Sequence, residues 1–225
     1  MPLKLNRNFA VLYGIMLGDG CLSLVNERKK FVVVTGNKLD DVPFFEEIIQ
    51  PIIKKQIGKQ IPIKFRKNEN TIDLNFVNSK LFDFISSYGF PIGKKGDKLF
   101  IPKLFYEKNL VKYTIRGFFA TDGSLVLTKN NGTLYPRVET NGIAKRLIGE
   151  INMFLNLKGI KSNFYEAKRK NPVWKKYQQQ YRLQINGKEN LKKFVKEIGF
   201  VNPKQIEKLK TYMAVPRLEL GVPAL

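Results

Sequence analysis

Two aspartates, Asp19 and Asp122, each end an apolar stretch of the chain and each precede a glycine. The stretches cover residues 12–20 and 115–123, and both are typical of a helix that ends at Asp-Gly, since glycine readily adopts the positive φ that terminates a helix. The C-terminal end of a helix carries partial negative charge and therefore disfavours a carboxylate. The sequence places a carboxylate there twice, so we expect a positive charge to compensate the pair.

Small residues recur four positions apart in both stretches, Gly14 and Gly18 in the first and Gly117 and Thr121 in the second. Residues four apart share one face of a helix, and small side chains let a second backbone approach that face closely. Each stretch therefore allows a second backbone to pack closely against it through these small residues.

The net charge indicates the kind of partner. The 225 residues include 40 Lys and Arg against 19 Asp and Glu, which gives a formal charge of +21. A surplus of this size predicts a polyanionic partner, either nucleic acid or an anionic membrane surface. The membrane alternative is the weaker one, because no apolar run of the sequence is long enough to span a bilayer.

The chain has no histidine and a single cysteine, Cys21. The lack of histidine excludes Ser-His-Asp triads, His-containing zinc sites and imidazole general bases. A single cysteine excludes a disulfide framework and suits a reducing compartment. No signal-peptide pattern follows Met1, so we expect an intracellular protein of a prokaryotic cytoplasm or an organelle matrix rather than a secreted one.

The order of predicted elements also occurs twice. Each half reads as helix, hairpin, helix, hairpin and helix, and each ends in Gly-Phe, which indicates an internal duplication within the α+β class. The predicted division comprises an αββαββα half over residues 1–90, a basic linker over 91–111, a second αββαββα half over 112–200, and a short helix with a tail over 201–225.

The paired Asp-Gly helices, their spacing, the repeated strand pattern and the charge resemble the LAGLIDADG homing endonucleases over nearly the whole chain. The resemblance implies a monomer with an internal pseudo-two-fold axis, whose halves pack through the motif helices and form a saddle of antiparallel sheets on DNA. It implies that Asp19 and Asp122 are catalytic and bind divalent metal, helped by the backbone carbonyls of Gly18 and Thr121. Mg²⁺ is the expected ion, Mn²⁺ is expected to substitute, and Ca²⁺ is expected to bind without supporting cleavage.

The chemistry of the residues agrees with this implication. Two carboxylates brought close together raise each other's pKa unless a cation lies between them. Mg²⁺ takes oxygen ligands, retains waters and accepts phosphate oxygens, and such a site can activate water and stabilise a leaving oxygen without histidine. On this interpretation the compensating charge is a metal ion.

The predicted strands alternate apolar and polar residues, for example over residues 71–77, which follow a predicted strand over residues 61–67. One face of each sheet would then be apolar and the other basic and rich in amides, suited to the major groove, while turn residues suit phosphates. The candidate DNA-binding residues are Arg28, Lys29, Lys30, Lys64, Arg66, Asp73, Asn75, Arg137, Glu139, Asn163, Tyr165, Lys168, Arg169, Lys170, Arg182 and Gln184.

Two further residues have open roles. Lys38 follows the second strand of the first half, where the resemblance places a basic catalytic residue, yet it equally fits a surface lysine before a helix. In the second half the lysine nearest to the corresponding position is Lys145, so the two halves do not equally support a basic catalytic residue. Trp174, within a basic stretch, suits either a loop anchor or a contact with the nucleic-acid backbone.

The leading functional hypothesis is therefore a site-specific DNA endonuclease that makes a Mg²⁺-dependent double-strand break in a long target site. Two alternatives use the same scaffold. One is an RNA-binding maturase that assists the folding of a host intron, and the other is a DNA-binding regulator with a vestigial site. Retention of both aspartates argues against the second alternative.

Overall fold

The computed structural model describes residues 3–130, 133–170 and 177–214. Trp174 and the predicted tail after residue 214 lie outside these ranges. None of the helices within them is both long enough and apolar enough to cross a membrane.

The first half has the order helix, hairpin, helix, hairpin and helix, with its middle helix in three parts. Its elements are α1 (Arg7–Asp19), β1 (Gly20–Val25), β2 (Lys29–Asn37), α2 (Val42–Phe44), a π-helical segment (Phe45–Ile49), α3 (Gln50–Ile57), β3 (Lys64–Phe65), β4 (Thr71–Val77) and α4 (Ser79–Ser86).

The second half repeats this order after a connecting segment that contains α5 (Lys103–Glu107), and a final helix follows it. The remaining elements are α6 (Val111–Thr121), β5 (Gly123–Asn130), β6 (Thr133–Gly142), α7 (Lys145–Leu157), β7 (Asn163–Lys170), β8 (Tyr177–Asn186), α8 (Lys188–Glu197) and α9 (Pro203–Ala214).

Within the residues that the structure describes, each half contains one four-stranded antiparallel sheet, with the orders β1-β2-β4-β3 and β5-β6-β8-β7. The predicted α+β class with two αββαββα halves is thereby confirmed. The predicted strand over residues 61–67 is wrong in length, because only Lys64 and Phe65 pair with β4. Pro62 has no N–H to donate to a ladder, which limits pairing on its side of this short strand.

Helix α1 is buried along its length, from Phe9 to Leu17. A helix that is apolar on every side must be covered on every side, and α1 lies between its own sheet and α6. Its first turn is capped by Asn6, whose Oδ1 accepts a hydrogen bond of 2.9 Å from the Phe9 amide.

Helices α1 and α6 pack with their backbones in direct contact. A Cβ atom added to Gly14 would lie 2.0 Å from the carbonyl oxygen of Thr114, and one added to Gly117 would lie 2.0 Å from that of Val11. A normal side chain at either position would force the helices apart. The glycines therefore set the distance between the two halves.

The predicted linker over residues 91–111 packs against the rest of the protein. Leu99, Ile101 and Phe105 are buried in the common core, and the amide of Ile101 donates to Glu150 Oε2 of α7 at 2.7 Å. The segment thus packs against both halves instead of only joining them.

Candidate metal centre and nucleic-acid interface

Asp19 and Asp122 occupy equivalent positions where α1 and α6 end. Asp19 is the last residue of α1, and Asp122 follows the last residue of α6. A Cβ atom on Gly18 would lie 2.0 Å from Thr121 Oγ1 and 3.3 Å from the carboxyl carbon of Asp122. The close approach of the helices therefore brings both carboxylates to one place.

The two carboxylates have perturbed acidities. Burial, together with the charge of Asp19, raises the pKa of Asp122 to about 6, although Lys95 opposes the shift. Burial also raises the pKa of Asp19, against Lys95 and with a contribution from Asp41. The accessible surface area of Asp122 classes the residue as exposed. Its carboxylate nevertheless lies in a concave site with protein on most sides, which limits its hydration.

Lys95 supplies positive charge at this site, and the sequence analysis missed it. Its Nζ donates to the carbonyl oxygens of Met16 at 3.3 Å and Leu17 at 3.1 Å, and also to that of Gly18. Burial lowers the pKa of this lysine, while Asp122 and Asp19 raise it. The sequence predicts a metal ion as the compensating charge, and Lys95 supplies part of that charge.

This contact also changes the expected role of Gly18. Its carbonyl, a predicted metal ligand, accepts a hydrogen bond from Lys95, so the lysine would have to move before that oxygen could bind an ion. The sequence offers one weak signal for Lys95, its position between Gly93 and Gly96, which both have positive φ and let the chain turn. Among the many lysines nearby this signal does not stand out.

The end of α6 is held differently, by amides of the C-terminal segment. Asn202 Nδ2 donates to the Ala120 carbonyl at 2.9 Å. Gln205 Nε2 donates to the carbonyls of Phe119 and Gly123 at 2.6 and 2.9 Å. The predicted short helix after residue 200 is thus part of the site.

A cavity opens on each side of the carboxylate pair. The one beside Asp19 has a volume of about 260 Å³, and its lining includes Thr35, Asn37, Asp41, Thr121 and Gln205. The one beside Asp122 has a volume of about 280 Å³, and its lining includes Gly18, Lys95, Leu99 and Ile148. Lys38 lines neither cavity, so its catalytic assignment gains no support from this geometry.

The donor set suits a hard divalent cation. Within the described residues no group of three or more His, Cys, Asp or Glu side chains is placed to hold a metal. Asp19, Asp122 and the Thr121 carbonyl are oxygen donors of the kind that Mg²⁺, Mn²⁺ and Ca²⁺ prefer, and Mg²⁺ commonly completes its shell with water and phosphate oxygens. A site with two carboxylates therefore fits an ion that binds together with a phosphodiester.

The open face of the second sheet carries the predicted polar residues. Strand register aligns Glu139 with Gln184 and Gln184 with Asn163, and it also aligns Arg182 with Tyr165. Arg137, two positions before Glu139, shares this face, opposite the buried side chains of the strands. These residues form one surface, which we call the polar face of the second sheet and define as Arg137, Glu139, Asn163, Tyr165, Arg182 and Gln184.

Glu139 organises the centre of this surface. Its Oε2 accepts hydrogen bonds from Arg137 Nε at 2.7 Å and from Gln184 Nε2 at 2.9 Å. Arg182, by contrast, is exposed. Three basic residues of β7 are predicted beside this surface, Lys168, Arg169 and Lys170. Arg169 lies on the same face of the strand as Asn163 and Tyr165, whereas Lys168 and Lys170 lie on the opposite face with Glu166.

The first sheet differs from the prediction. Lys30 lies within β2, on the same face of the strand as the buried Val32. Its Nζ pairs with Asp83 Oδ1 of α4 at 2.6 Å. The predicted turn position of Lys30 is wrong, because β2 begins two residues earlier than expected, which places Lys30 inside the strand and on the side of α4. Arg28 remains in the turn between the strands, and Lys29 is the first residue of β2.

Asp73 and Arg66 form an ion pair on the first sheet. Arg66 Nε lies 2.8 Å from Asp73 Oδ2, and the Asp73 side chain is 5% exposed whereas that of Arg66 is 43% exposed. Asp73 is thus covered and does not present its carboxylate to a base. Lys64 lies exposed in the same cross-strand row as Asp73, and Asn75 is half-buried on β4.

The raised pKa of Asp122 predicts how pH affects stability without metal. A carboxyl whose pKa is about 6 when folded, above its ordinary value, binds its proton more tightly in the folded state, so stability is greatest at low pH and falls as pH rises through about 6. Asp122→Asn does not titrate, so we expect it to stabilise the metal-free protein above pH 6 and to have little effect near pH 4. Because Asp122 is solvent-accessible, screening reduces the expected gain to about 1 kcal/mol.

Urea unfolding in EDTA at several pH values measures this difference. Asp97→Asn, which removes the same charge from an exposed position in the connecting segment, serves as the control. A gain for Asp122→Asn that is equal at pH 4 and pH 8 would contradict the assignment.

The chain is similar in sequence to a known domain family and to segments of curated proteins. Residues 109–199 match the LAGLIDADG-like domain. Two curated relatives are the replication factor C small subunits of Methanocaldococcus jannaschii, 26% identical over 205 residues, and of Thermococcus kodakarensis, 26% identical over 208 residues. These alignments cover 91% and 92% of this chain but 10% and 21% of the relatives. The chain thus spans a small part of their length.

Solved structures match the whole fold. The homing endonuclease I-DmoI in complex with DNA and Ca is 15% identical with a TM-score of 0.58, covering 91% of this chain and 97% of that one. I-LtrWI bound to target DNA is 12% identical with a TM-score of 0.58, covering 93% and 90%. I-AabMI bound to uncleaved DNA is 14% identical with a TM-score of 0.55, covering 95% and 91%. At these identities the likeness establishes the fold.

Proposed function

We propose that the chain is a LAGLIDADG homing endonuclease that cleaves DNA at a specific site, because residues 109–199 match the LAGLIDADG-like domain and both halves share the fold of such enzymes. The proposed reaction is the hydrolysis of one phosphodiester in each strand of a long target site, with Mg²⁺ as the cofactor. The active protein is a monomer, since both halves of the site lie in one chain.

The observation that carries the proposal is the meeting of Asp19 and Asp122 where α1 and α6 end. Burial and the charge of Asp19 raise the pKa of Asp122, and burial raises that of Asp19, so two charged carboxylates here destabilise the folded protein unless a cation offsets them. Their pairing therefore favours a role in metal binding. When bound there, a divalent ion would supply an activated water and charge neutralisation at the leaving oxygen. The protein contributes two fixed carboxylates, held by the contact of the helices.

Lys95 and the two cavities complete the proposed site. Lys95 offsets part of the negative charge before DNA arrives, and it is placed to contact a phosphate once it leaves the carbonyls at the end of α1. The cavities on either side of the pair give water access to both carboxylates. The residues proposed to act at the reacting groups are therefore Asp19, Asp122 and Lys95, with Lys38 as a weaker proposal.

The polar face of the second sheet is proposed to read base edges in the major groove. Arg pairs well with guanine, and Asn and Gln pair well with adenine. The remaining proposed contacts to DNA come from Arg28, Lys29, Lys64, Arg66, Asn75 and Arg169. The high positive charge adds phosphate contacts that strengthen binding at low salt.

DNA is favoured over the alternatives for two reasons. The similar structures of I-DmoI, I-AabMI and I-LtrWI named above are bound to DNA, which favours the nuclease over an RNA-binding maturase. A regulator that only binds DNA would gain nothing from two carboxylates forced together at helix ends. Structures of I-DmoI are described with DNA and Ca, with DNA and Mn, and with target DNA and Mg, which supports the proposed choice of ions.

Selection from a randomised DNA library tests the proposal. Purified protein with Mg²⁺ is incubated with the library, and cleaved ends are captured and sequenced. We expect one long target to be enriched, with cleavage also in Mn²⁺ and none in EDTA or Ca²⁺. Failure to enrich any sequence in Mg²⁺ or Mn²⁺, by protein that is folded, would refute the nuclease.

Arg182→Ala is expected to weaken binding to the selected target by about 1–3 kcal/mol and to relax preference at one or two base pairs. The reason is that Arg182 is an exposed arginine on the polar face of the second sheet. Filter binding in Ca²⁺ to the target and to single-base variants measures both effects. Lys158→Ala, on an exposed residue after α7, is the control for lost charge. An equal loss of affinity for every DNA sequence would instead assign Arg182 to a phosphate.

A further inference from the structure

We propose that Asn202 and Gln205 are positioning residues that aim the Asp122 carboxylate and the Thr121 carbonyl at the metal. The inference rests on the proposed function and extends it to the C-terminal segment. These two residues contact neither DNA nor the reacting atoms in the proposal. They act through the backbone at the end of α6.

The contacts span the turn that carries Asp122. The side-chain amide of Gln205 donates to the carbonyl oxygens of Phe119 and Gly123, three positions before Asp122 and one position after it. Asn202 holds the Ala120 carbonyl between them. Two carbonyl acceptors fix the orientation of the Gln205 amide, because only its nitrogen can donate. The turn is thereby fastened at three points.

These bonds occupy the carbonyls on either side of Thr121 and Asp122. The Phe118 carbonyl accepts from the Asp122 amide and from Thr121 Oγ1, both at 2.9 Å. The two amides donate to the carbonyls of Phe119, Ala120 and Gly123 and not to that of Thr121. The Thr121 carbonyl is the equivalent of the Gly18 carbonyl, which Lys95 covers at the end of α1.

A second observation points to a ligand in the neighbouring cavity. Gln205 is 7% exposed and lines the cavity beside Asp19. Its Oε1 is buried and has no hydrogen-bond donor among the residues that the structure describes. A buried acceptor without a donor is unfavourable, so this oxygen calls for a water molecule in the cavity. Such a water would lie in the cavity that Asp19 and Thr121 also line.

The helix that carries Gln205 is anchored to both halves. Lys204 Nζ pairs with Asp40 Oδ2 of the first half at 2.6 Å. Asn202 Oδ1 also accepts from the Lys204 amide at 3.0 Å, which caps the start of α9. Since α9 contacts the first half through Lys204 and the end of α6 through its amides, it holds the two sides of the cavity in register.

Mn²⁺ binding to the DNA-free protein, measured by electron paramagnetic resonance, tests the proposal without relying on cleavage. Gln205→Met keeps the length of the side chain and removes its donor. Asn202→Ser keeps a capping oxygen for α9 and is too short to reach the Ala120 carbonyl. Leu209→Ala is the matched control, because it weakens the packing of α9 without removing either amide.

We expect Gln205→Met and Asn202→Ser each to weaken Mn²⁺ binding about tenfold, as loss of a residue that orients a ligand does in other metal sites. Leu209→Ala should lower the melting temperature while binding Mn²⁺ like the wild type. Wild-type affinity in both amide variants, or an equal loss in Leu209→Ala, overturns the positioning role. A wild type that binds Mn²⁺ but cuts no DNA would refute the proposed nuclease and leave this inference standing.

Discussion

Asp19→Asn and Asp122→Asn are each expected to reduce DNA cleavage roughly 1000-fold or more while leaving binding to the target nearly unchanged. The asparagine keeps the shape of the aspartate but removes the charge that would hold the metal. Misfolding does not explain the loss, since removing one of two paired carboxylates is expected to stabilise the metal-free protein. Cleavage of labelled target in Mg²⁺ and binding in Ca²⁺ give the two quantities.

A strand-resolved assay adds to this test. Because both carboxylates belong to one composite site, each single variant is expected to lose cleavage of both strands. Asp83→Asn, which removes a carboxylate on α4 far along the chain from the motifs, should cut like the wild type. Full activity in either motif variant would show that the aspartate pair is not the catalytic centre.

Gly117→Ala is expected to destabilise the protein by about 3 kcal/mol and to lower its melting temperature by roughly 10 °C. The added methyl group would lie 2.0 Å from the Val11 carbonyl oxygen and 3.0 Å from the Ile15 amide nitrogen. Both obstacles are backbone atoms, so no side-chain rotation relieves the clash. The helices must separate, which also moves the carboxylates apart.

Gly149→Ala is expected to have the opposite effect on the stability of the protein. Gly149 lies within α7, and a Cβ atom there meets nothing within 4 Å. Alanine favours a helix over glycine by about 1 kcal/mol, so this variant should be slightly more stable. Thermal unfolding of both variants measures the difference, and a Gly117→Ala protein as stable as Gly149→Ala would contradict the close packing of α1 and α6.

The fold and the carboxylate pair could be predicted because both are encoded by local patterns that occur twice. Small residues at a spacing of four positions mark a helix contact, and Asp19 and Asp122 follow from the motif itself. Strand alternation likewise predicts the polar face of the second sheet. Each of these signals lies within about ten residues of sequence, and duplication doubles its weight.

The partners that hold the helix ends could not be predicted in this way. Lys95 reaches the end of α1 from 77 residues away, and Gln205 reaches the Phe119 carbonyl from 86 residues away. No periodic pattern distinguishes one lysine of a basic linker, or one glutamine of a short helix, from its neighbours. Such contacts depend on how the elements pack together, which the local sequence does not specify.

The errors on the first sheet have a different origin. An earlier start of β2 changes Lys30 from a turn residue to a strand residue that faces α4. Asp73 has the predicted parity, but Arg66 covers it. The alternation of apolar and polar residues along a strand predicts which face of the sheet a residue occupies. It does not state whether a neighbouring side chain folds over that residue.

The most direct test of the account is the location of Mn²⁺ by anomalous X-ray scattering in a crystal of the protein with its selected DNA target. The account predicts an anomalous peak within coordination distance of both the Asp19 and Asp122 carboxylates and next to a scissile phosphate. It also predicts that Lys95 has moved away from the Gly18 carbonyl. A peak bound elsewhere, or DNA cleaved in the crystal with no metal between the two aspartates, would contradict the proposed site.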